Sequence, residues 1–180
     1  RRGQLVGRRT LRKEIATVLQ HQSRLVSLVG TAGVGKSRLA LEVIHDLQDP
    51  DCGTFFCDLT KATSELGVAL MVAKAMNIKL QNIDPIGQLG EIFAQNHTLL
   101  VLDNLEQVIS PVGNVITRWM EQSDSLRIIA TSRIKLRLSI EHSFPLQPLT
   151  ILEGIELFRK RGQKAKPSFE LQDVTRQTVG

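Results

Sequence analysis

Short apolar runs alternate with amphipathic stretches along most of the chain. Leu25-Val26-Ser27-Leu28-Val29, Thr98-Leu99-Leu100-Val101-Leu102 and Leu126-Arg127-Ile128-Ile129-Ala130-Thr131 are nearly continuous apolar segments of strand length. That is the pattern of strands covered on both faces. Thr54-Phe55-Phe56-Cys57 predicts a further strand, after a turn marked by Asp49-Pro50-Asp51 and Gly53. His142-Ser143-Phe144-Pro145-Leu146 predicts a fifth, at an edge or a strand end because Pro145 cannot donate to a ladder.

Between these runs apolar residues recur with helical spacing. Leu11, Ile15, Val18 and Leu19 mark a first helix, and Leu39, Ala40, Val43, Ile44 and Leu47 a second. Residues 66–76 predict a third, and Ile86, Leu89, Ile92 and Phe93 a fourth that starts after Asp84-Pro85. Val112, Val115, Ile116, Trp119 and Met120 form the stripe of a fifth, with Ser110 as its expected cap and Pro111 as its first helical residue. Thr150 and Glu153 make a capping box that opens a sixth, carrying Ile151, Ile155 and Phe158. Strands alternating with helices predict an α/β fold, a parallel five-stranded sheet between helices. Residues 1–150 are expected to form that domain, and 151–180 to begin a helical region cut short.

The turn after the first apolar run carries the chemistry. Gly30-Thr31-Ala32-Gly33-Val34-Gly35-Lys36-Ser37 fits the phosphate-binding loop pattern, between a strand and a helix as that loop requires. Glycines let backbone N–H groups turn inward around phosphates, and the following helix adds a partial positive charge. Lys36 supplies a full charge near the β- and γ-phosphates, and the Ser37 hydroxyl is placed to ligate Mg²⁺. Arg38 follows in the first helical turn and is counted among the candidate nucleotide contacts.

Two further strand ends bear polar residues. Asp103 follows four apolar residues, which sets a carboxylate at the carboxyl end of the sheet, where it would hold Mg²⁺ opposite Ser37. The region between the two motifs suits the P-loop NTPase class with an extra strand between them, the ASCE type. Thr131-Ser132-Arg133 ends another strand, and Arg133 is a candidate to touch a γ-phosphate.

Composition changes this picture little. An apolar fraction of 42% and a charged fraction of 23% are those of a globular domain. No segment approaches the ~18 apolar residues of a membrane span, and no signal-peptide pattern follows Arg1-Arg2-Gly3-Gln4. Cys52 and Cys57 lack the companions of a metal site, which predicts idle thiols in a reducing, cytoplasmic setting. The net charge of +5 admits nucleic acid as a partner. With 4% aromatic residues and no tyrosine, however, no stacking platform is visible. No N-K-x-D guanine motif occurs, which disfavours GTP.

Val6-Gly7-Arg8, GTAGVGKS, LLVLDNLE, IIATSR, and PLQPL at 145–149 followed by Glu156-Leu157-Phe158 occur in this order. The set resembles the nucleotide-binding domain of bacterial STAND ATPases. These are signal-transducing members of the wider AAA+ group, related to NB-ARC domains. The resemblance implies that Val6, Gly7 and Arg8 lie against adenine and ribose, and that Gly30 to Ser37 hold phosphates and Mg²⁺. Asp103 would serve the metal, and Arg133 would be the sensor arginine. Pro148 and Leu149 would lead into a helical lid. Two departures stand out. Arg9-Thr10 replaces the acidic residue that many members carry there. Asn104 stands where vigorous AAA+ ATPases place a water-activating glutamate, and Glu106 is the candidate substitute.

The expected function is an ATP/ADP-binding regulatory switch with slow Mg²⁺-dependent hydrolysis, part of a larger signalling or transcription-regulating protein. Self-association would depend on ATP, and DNA would be met only through other domains, with no membrane partner. The alternatives are a conventional AAA+ motor or loader, in which turnover does work, and a nucleic-acid-binding module.

Overall fold

The computed structural model describes residues 7–47 and 49–165. Five strands form one parallel sheet, β1 (Leu25–Val29), β2 (Gly53–Asp58), β3 (Thr98–Asp103), β4 (Leu126–Ser132) and β5 (Glu141–Pro145), in the order β2-β3-β4-β1-β5. Among the described residues six α-helices accompany them: α1 (Arg9–His21), α2 (Lys36–Asp46), α3 (Glu65–Ala75), α4 (Pro85–Gln95), α5 (Ile109–Gln122) and α6 (Ile151–Ala165). A short 3₁₀ turn, Leu105–Gln107, links β3 to α5.

β4 lies between β1 and β3, which is the extra strand expected between the two motifs. All six residues of β3 are buried. Successive side chains on a strand point to opposite faces, so β3 supplies both layers of the core. Leu100 and Leu102 pack with Phe93, Val115 and Trp119 under α3, α4 and α5. Leu99 and Val101 pack with Ile15, Leu39 and Val43 under α1 and α2. Phe93 and Trp119 meet edge to face with centroids 5.3 Å apart, and Trp119 Nε1 donates to the Ile86 carbonyl at 2.9 Å. Trp119 is therefore a core residue with its polar atom satisfied.

The local signals mostly act as expected. Asp84 caps α4 by accepting from Gly87 N at 3.1 Å, with Pro85 at the first helical position. Thr150 and Glu153 form the capping box, Glu153 Oε2 accepting from Thr150 N at 2.8 Å and Thr150 Oγ1 accepting from Glu153 N at 3.3 Å. Pro145 ends β5, an edge strand. α5 differs from expectation. It starts at Ile109, with Val108 as an N-cap that makes no side-chain cap bond. The 3₁₀ turn delivers the chain already wound, and Pro111 is tolerated because the first four helical N–H groups need no intrahelical partner.

Candidate functional site

β1 ends at Val29, and Gly30 N donates to Ser132 O on β4 at 3.2 Å. A Cβ on Gly30 would lie 2.8 Å from the Leu146 carbonyl oxygen, closer than side chains tolerate, so glycine is required where the chain leaving β5 passes the loop. Gly35 caps α2 at φ 93°, a left-handed conformation that favours glycine, and no side chain caps the helix. The first N–H groups of α2 thus lack intrahelical acceptors and face the loop. Thr31, Ala32 and Gly33 are exposed, Val34 is half-buried, and a Cβ on Gly33 would meet nothing within 4 Å. The loop is an open cradle over a helix N-terminus, which suits an anion.

Lys36 is 7% exposed and folds back over this cradle, its Nζ donating to Gly30 O at 2.8 Å and Thr31 O at 3.1 Å. These two carbonyls hold the ammonium in the place where a phosphate oxygen would compete for it. Ser37 is half-buried in the first turn of α2, and its hydroxyl has no hydrogen-bond partner among the described residues. Arg38 turns along α2 instead and pairs with Glu42 at 2.5 Å.

One wall of the cradle comes from distant segments. Gly7 adopts φ 67° and Arg8 φ 59°. A Cβ on Gly7 would collide with the Glu153 carboxylate at the start of α6. The Arg8 guanidinium donates to Gln147 O at 2.7 Å and lies 3.5 Å from the position of a Cβ on Gly35. Partial burial lowers the Arg8 pKa from its ordinary value, against the opposing pull of Glu153. Val6 lies outside the described residues.

Asp103 is 5% exposed at the end of β3. Its Oδ1 accepts from Thr131 Oγ1 at 2.5 Å and its Oδ2 from Asn104 Nδ2 at 3.2 Å. Each oxygen keeps a lone pair for a further donor or a cation. The same Asn104 amide donates to Asp58 Oδ1 at 3.0 Å. Hydrogen bonds from Thr60 and Asn104 lower the Asp58 pKa below the ordinary carboxylate value. Asp58 was missed in the sequence, although it ends β2 as Asp103 ends β3, and the register pairs the two.

Arg133 follows β4 and donates from Nε to Glu106 Oε1 at 3.2 Å. The other Glu106 oxygen is buried without a hydrogen-bond partner. The candidate base and the candidate sensor arginine thus hold each other.

No group of three or more His, Cys, Asp or Glu among the described residues could hold a metal. The donor set fits Mg²⁺ nonetheless, because that ion takes one or two protein oxygens together with substrate phosphates rather than a full protein cage. Ser37 and Asp103 are the residues that would supply those oxygens. No helix among the described residues is long and apolar enough to cross a membrane.

Comparison with known structures identifies the fold. Cdc6p from Pyrobaculum aerophilum superimposes with a TM-score of 0.70 over 90% of this chain and 50% of that one, at 13% identity. The ORC2 protein of Aeropyrum pernix, solved as ADPNP-ADP complexes, gives 0.67 over 87% and 51%, also at 13%. A STAND protein with a tetratricopeptide repeat sensor from Pyrococcus horikoshii gives 0.54 over 93% and 26%, at 15%. The chain has the P-loop NTPase fold.

No protein-family model matches the sequence. A Mycobacterium bovis protein named "Putative HTH-type transcriptional regulator" is 31% identical over 163 residues, which are 88% of this chain and 18% of the relative. An uncharacterised protein of Mycobacterium tuberculosis is 29% identical over 178 residues, 97% of this chain and 45% of that protein. The chain therefore spans less than half the length of both curated relatives.

Proposed function

We propose that this chain is an ATP- and ADP-binding regulatory domain in which hydrolysis is slow and acts as a timer. The observation that carries this reading is the uncapped N-terminus of α2 beneath an open glycine loop, with Lys36 folded over it. The N–H groups and Lys36 suit the β- and γ-phosphates, and Lys36 would exchange its two carbonyl partners for phosphate oxygens. Gly7 and Arg8, with Val6, would border the adenine and ribose. Ser37 and Asp103 would hold Mg²⁺, which when bound neutralises charge on the phosphate oxygens.

Slow turnover follows from what stands beside Asp103. A carboxamide such as Asn104 orients water but does not take its proton at neutral pH. Glu106 is engaged by Arg133 through one of its two oxygens. Arg133 is the group expected to read the γ-phosphate, so ATP and ADP would leave it in different places. These features weigh against a motor that hydrolyses ATP in every working cycle. Likeness to an HTH-type regulator and a STAND protein supports a role inside a larger signalling or transcription-regulating protein. Any DNA contact would then belong to other domains, and association of copies would follow ATP.

Calorimetric titration with ATP and ADP, with and without Mg²⁺, tests the reading. Both nucleotides should bind, ATP with the stronger dependence on Mg²⁺. Absence of binding by either would overturn it.

A further inference from the structure

α3 is apolar on more than the face that packs. Residues 66–73, between Glu65 and Lys74, carry no charge. Val68, Ala69, Val72 and Ala73 are buried in the core. Leu66 and Leu70 share a second face, one turn apart, and are 49% and 51% exposed. A surface helix ordinarily turns charged residues outward, as α1 does with Arg9, Lys13 and Glu14. α3 turns leucines outward instead.

The leucine strip runs into a groove of about 540 Å³ where α3 ends. Asn77 takes φ 57°, so Ile78 N returns to Ala73 O at 2.9 Å and Asn77 N to Lys74 O at 3.1 Å. This closing turn holds the following segment against the helix. Leu70, Ile78 and Leu80 give the groove its apolar lining, and Leu80 also packs on the core. Lys74 and Lys79 line the same groove. Both are exposed, and neither makes an ion pair among the described residues. No carboxylate lines the groove. Glu65, the carboxylate of α3, is engaged by Asn114 Nδ2 of α5 at 2.8 Å.

We propose that this strip docks an acidic amphipathic helix of a separate protein. An apolar stripe on that helix would lie along Leu66 and Leu70 and enter the groove over Ile78, while carboxylates beside the stripe meet Lys74 and Lys79. The charge beside the leucines is all positive, which selects an acidic partner over a basic one. Permanent interfaces resemble a core cut in half. Half-exposed leucines between solvated lysines instead make a contact that forms and dissolves, as a separate partner requires. No residue of the strip belongs to the nucleotide site, so the proposal stands apart from the nucleotide-binding reading.

The test is calorimetry on this chain and on the full-length protein. The probe is a synthetic helix of about sixteen residues, with leucines at helical spacing and glutamates between them. It should bind both with a Kd of about 10–100 μM, the range of a small transient contact, and more weakly as salt rises. The same helix with lysines in place of glutamates should not bind. Leu66→Gln and Leu70→Gln should each weaken binding about tenfold. Glutamine keeps nearly the helix propensity of leucine, so the melting temperature should stay. The double variant Lys74→Glu/Lys79→Glu should lose the acidic helix about tenfold and gain the lysine-bearing one. This exchange leaves the apolar strip untouched and decides the matter if the leucine variants do not fold.

Absence of binding by the acidic helix overturns the proposal. So does equal binding of the two helices, or binding that the charge exchange leaves unchanged. Binding to this chain but not to the full-length protein means that the strip is covered within the same protein, and overturns it. Sedimentation that shows a dimer lost in Leu70→Gln assigns the strip to a second copy and overturns it. Phosphatidylserine vesicles or duplex DNA that bind wild type, displace the helix and are lost with Lys74→Glu/Lys79→Glu overturn it likewise.

Discussion

Arg133 Nε lies 3.2 Å from Glu106 Oε1 across the gap between the end of β4 and the turn after β3. The Arg133 side chain is 60% exposed. A pair this exposed contributes about 0–1 kcal/mol, so a γ-phosphate can take the arginine at little cost. Arg133→Ala should therefore weaken ATP by about 1.5–3 kcal/mol and leave ADP almost unchanged. Glu106→Gln should act in the opposite direction and raise ATP affinity relative to ADP. Paired titrations at two salt concentrations check this. If Arg133 instead belongs to a basic strip with the exposed Lys135 and Arg137, both nucleotides lose affinity equally and salt removes the difference.

Lys36 supplies the charge at the centre of the phosphate loop, and its present partners are only loop carbonyls. Lys36→Ala should weaken both ATP and ADP by roughly a hundredfold, because the β-phosphate is common to both. The unfolding midpoint without nucleotide should move little, since Lys36 Nζ bonds only to two loop carbonyls, which solvent can serve in its place. Calorimetry and thermal unfolding on the same samples separate the two effects. Equal nucleotide affinity in wild type and variant would remove the phosphate loop from the reading.

The elements were legible because each has its own period. β3 is an unbroken apolar run, and α5 carries a stripe ending at Trp119 and Met120. The phosphate loop, Asp103 and Arg133 could be placed because each follows directly on such a run. The link between Asp58 and Asp103 could not. It arises from the parallel register of β2 and β3, which brings together residues far apart in the chain. The packing of Leu146 on Gly30 and of Glu153 on Gly7 has the same origin. The start of α5 was misplaced for a local reason. Ser110-Pro111 reads as a helix start, but the 3₁₀ turn before it begins the winding earlier.

Cys57 is 2% exposed on β2, and burial first, with neighbouring Asp58 second, pushes its thiol up to about 12 from the ordinary 9.0. The unfolded thiol ionises near its ordinary value while the folded one stays protonated. Stability from this group is thus complete below pH 9.0 and is lost as pH rises through about 12. The denaturant midpoint should fall across that window, and less steeply in Cys57→Ala. At about pH 8, a thiol reagent should label half-buried Cys52 before Cys57 in the native protein. Labelling of Cys57 at the rate of Cys52 would mean that β2 opens readily.

Asn104→Glu is the substitution that would turn a slow site into a fast one if only the missing base mattered. The Asp58–Asn104–Asp103 arrangement predicts otherwise. A glutamate there removes the NH₂ group that serves both carboxylates and adds a third negative charge beside them. The single variant should therefore be no faster than wild type and should melt at a lower temperature. Combining it with Asp58→Asn restores the tie with donor and acceptor exchanged. The new amide donates to the new glutamate, whose second oxygen remains for water. A placed general base contributes ~10²–10⁴-fold, so phosphate release in the double variant should exceed wild type by at least about tenfold. Phosphate release at saturating ATP and thermal unfolding, measured on all three proteins, decide the matter. If Asn104→Glu alone is as fast and as stable as the double variant, Asp58 has no hold on that position.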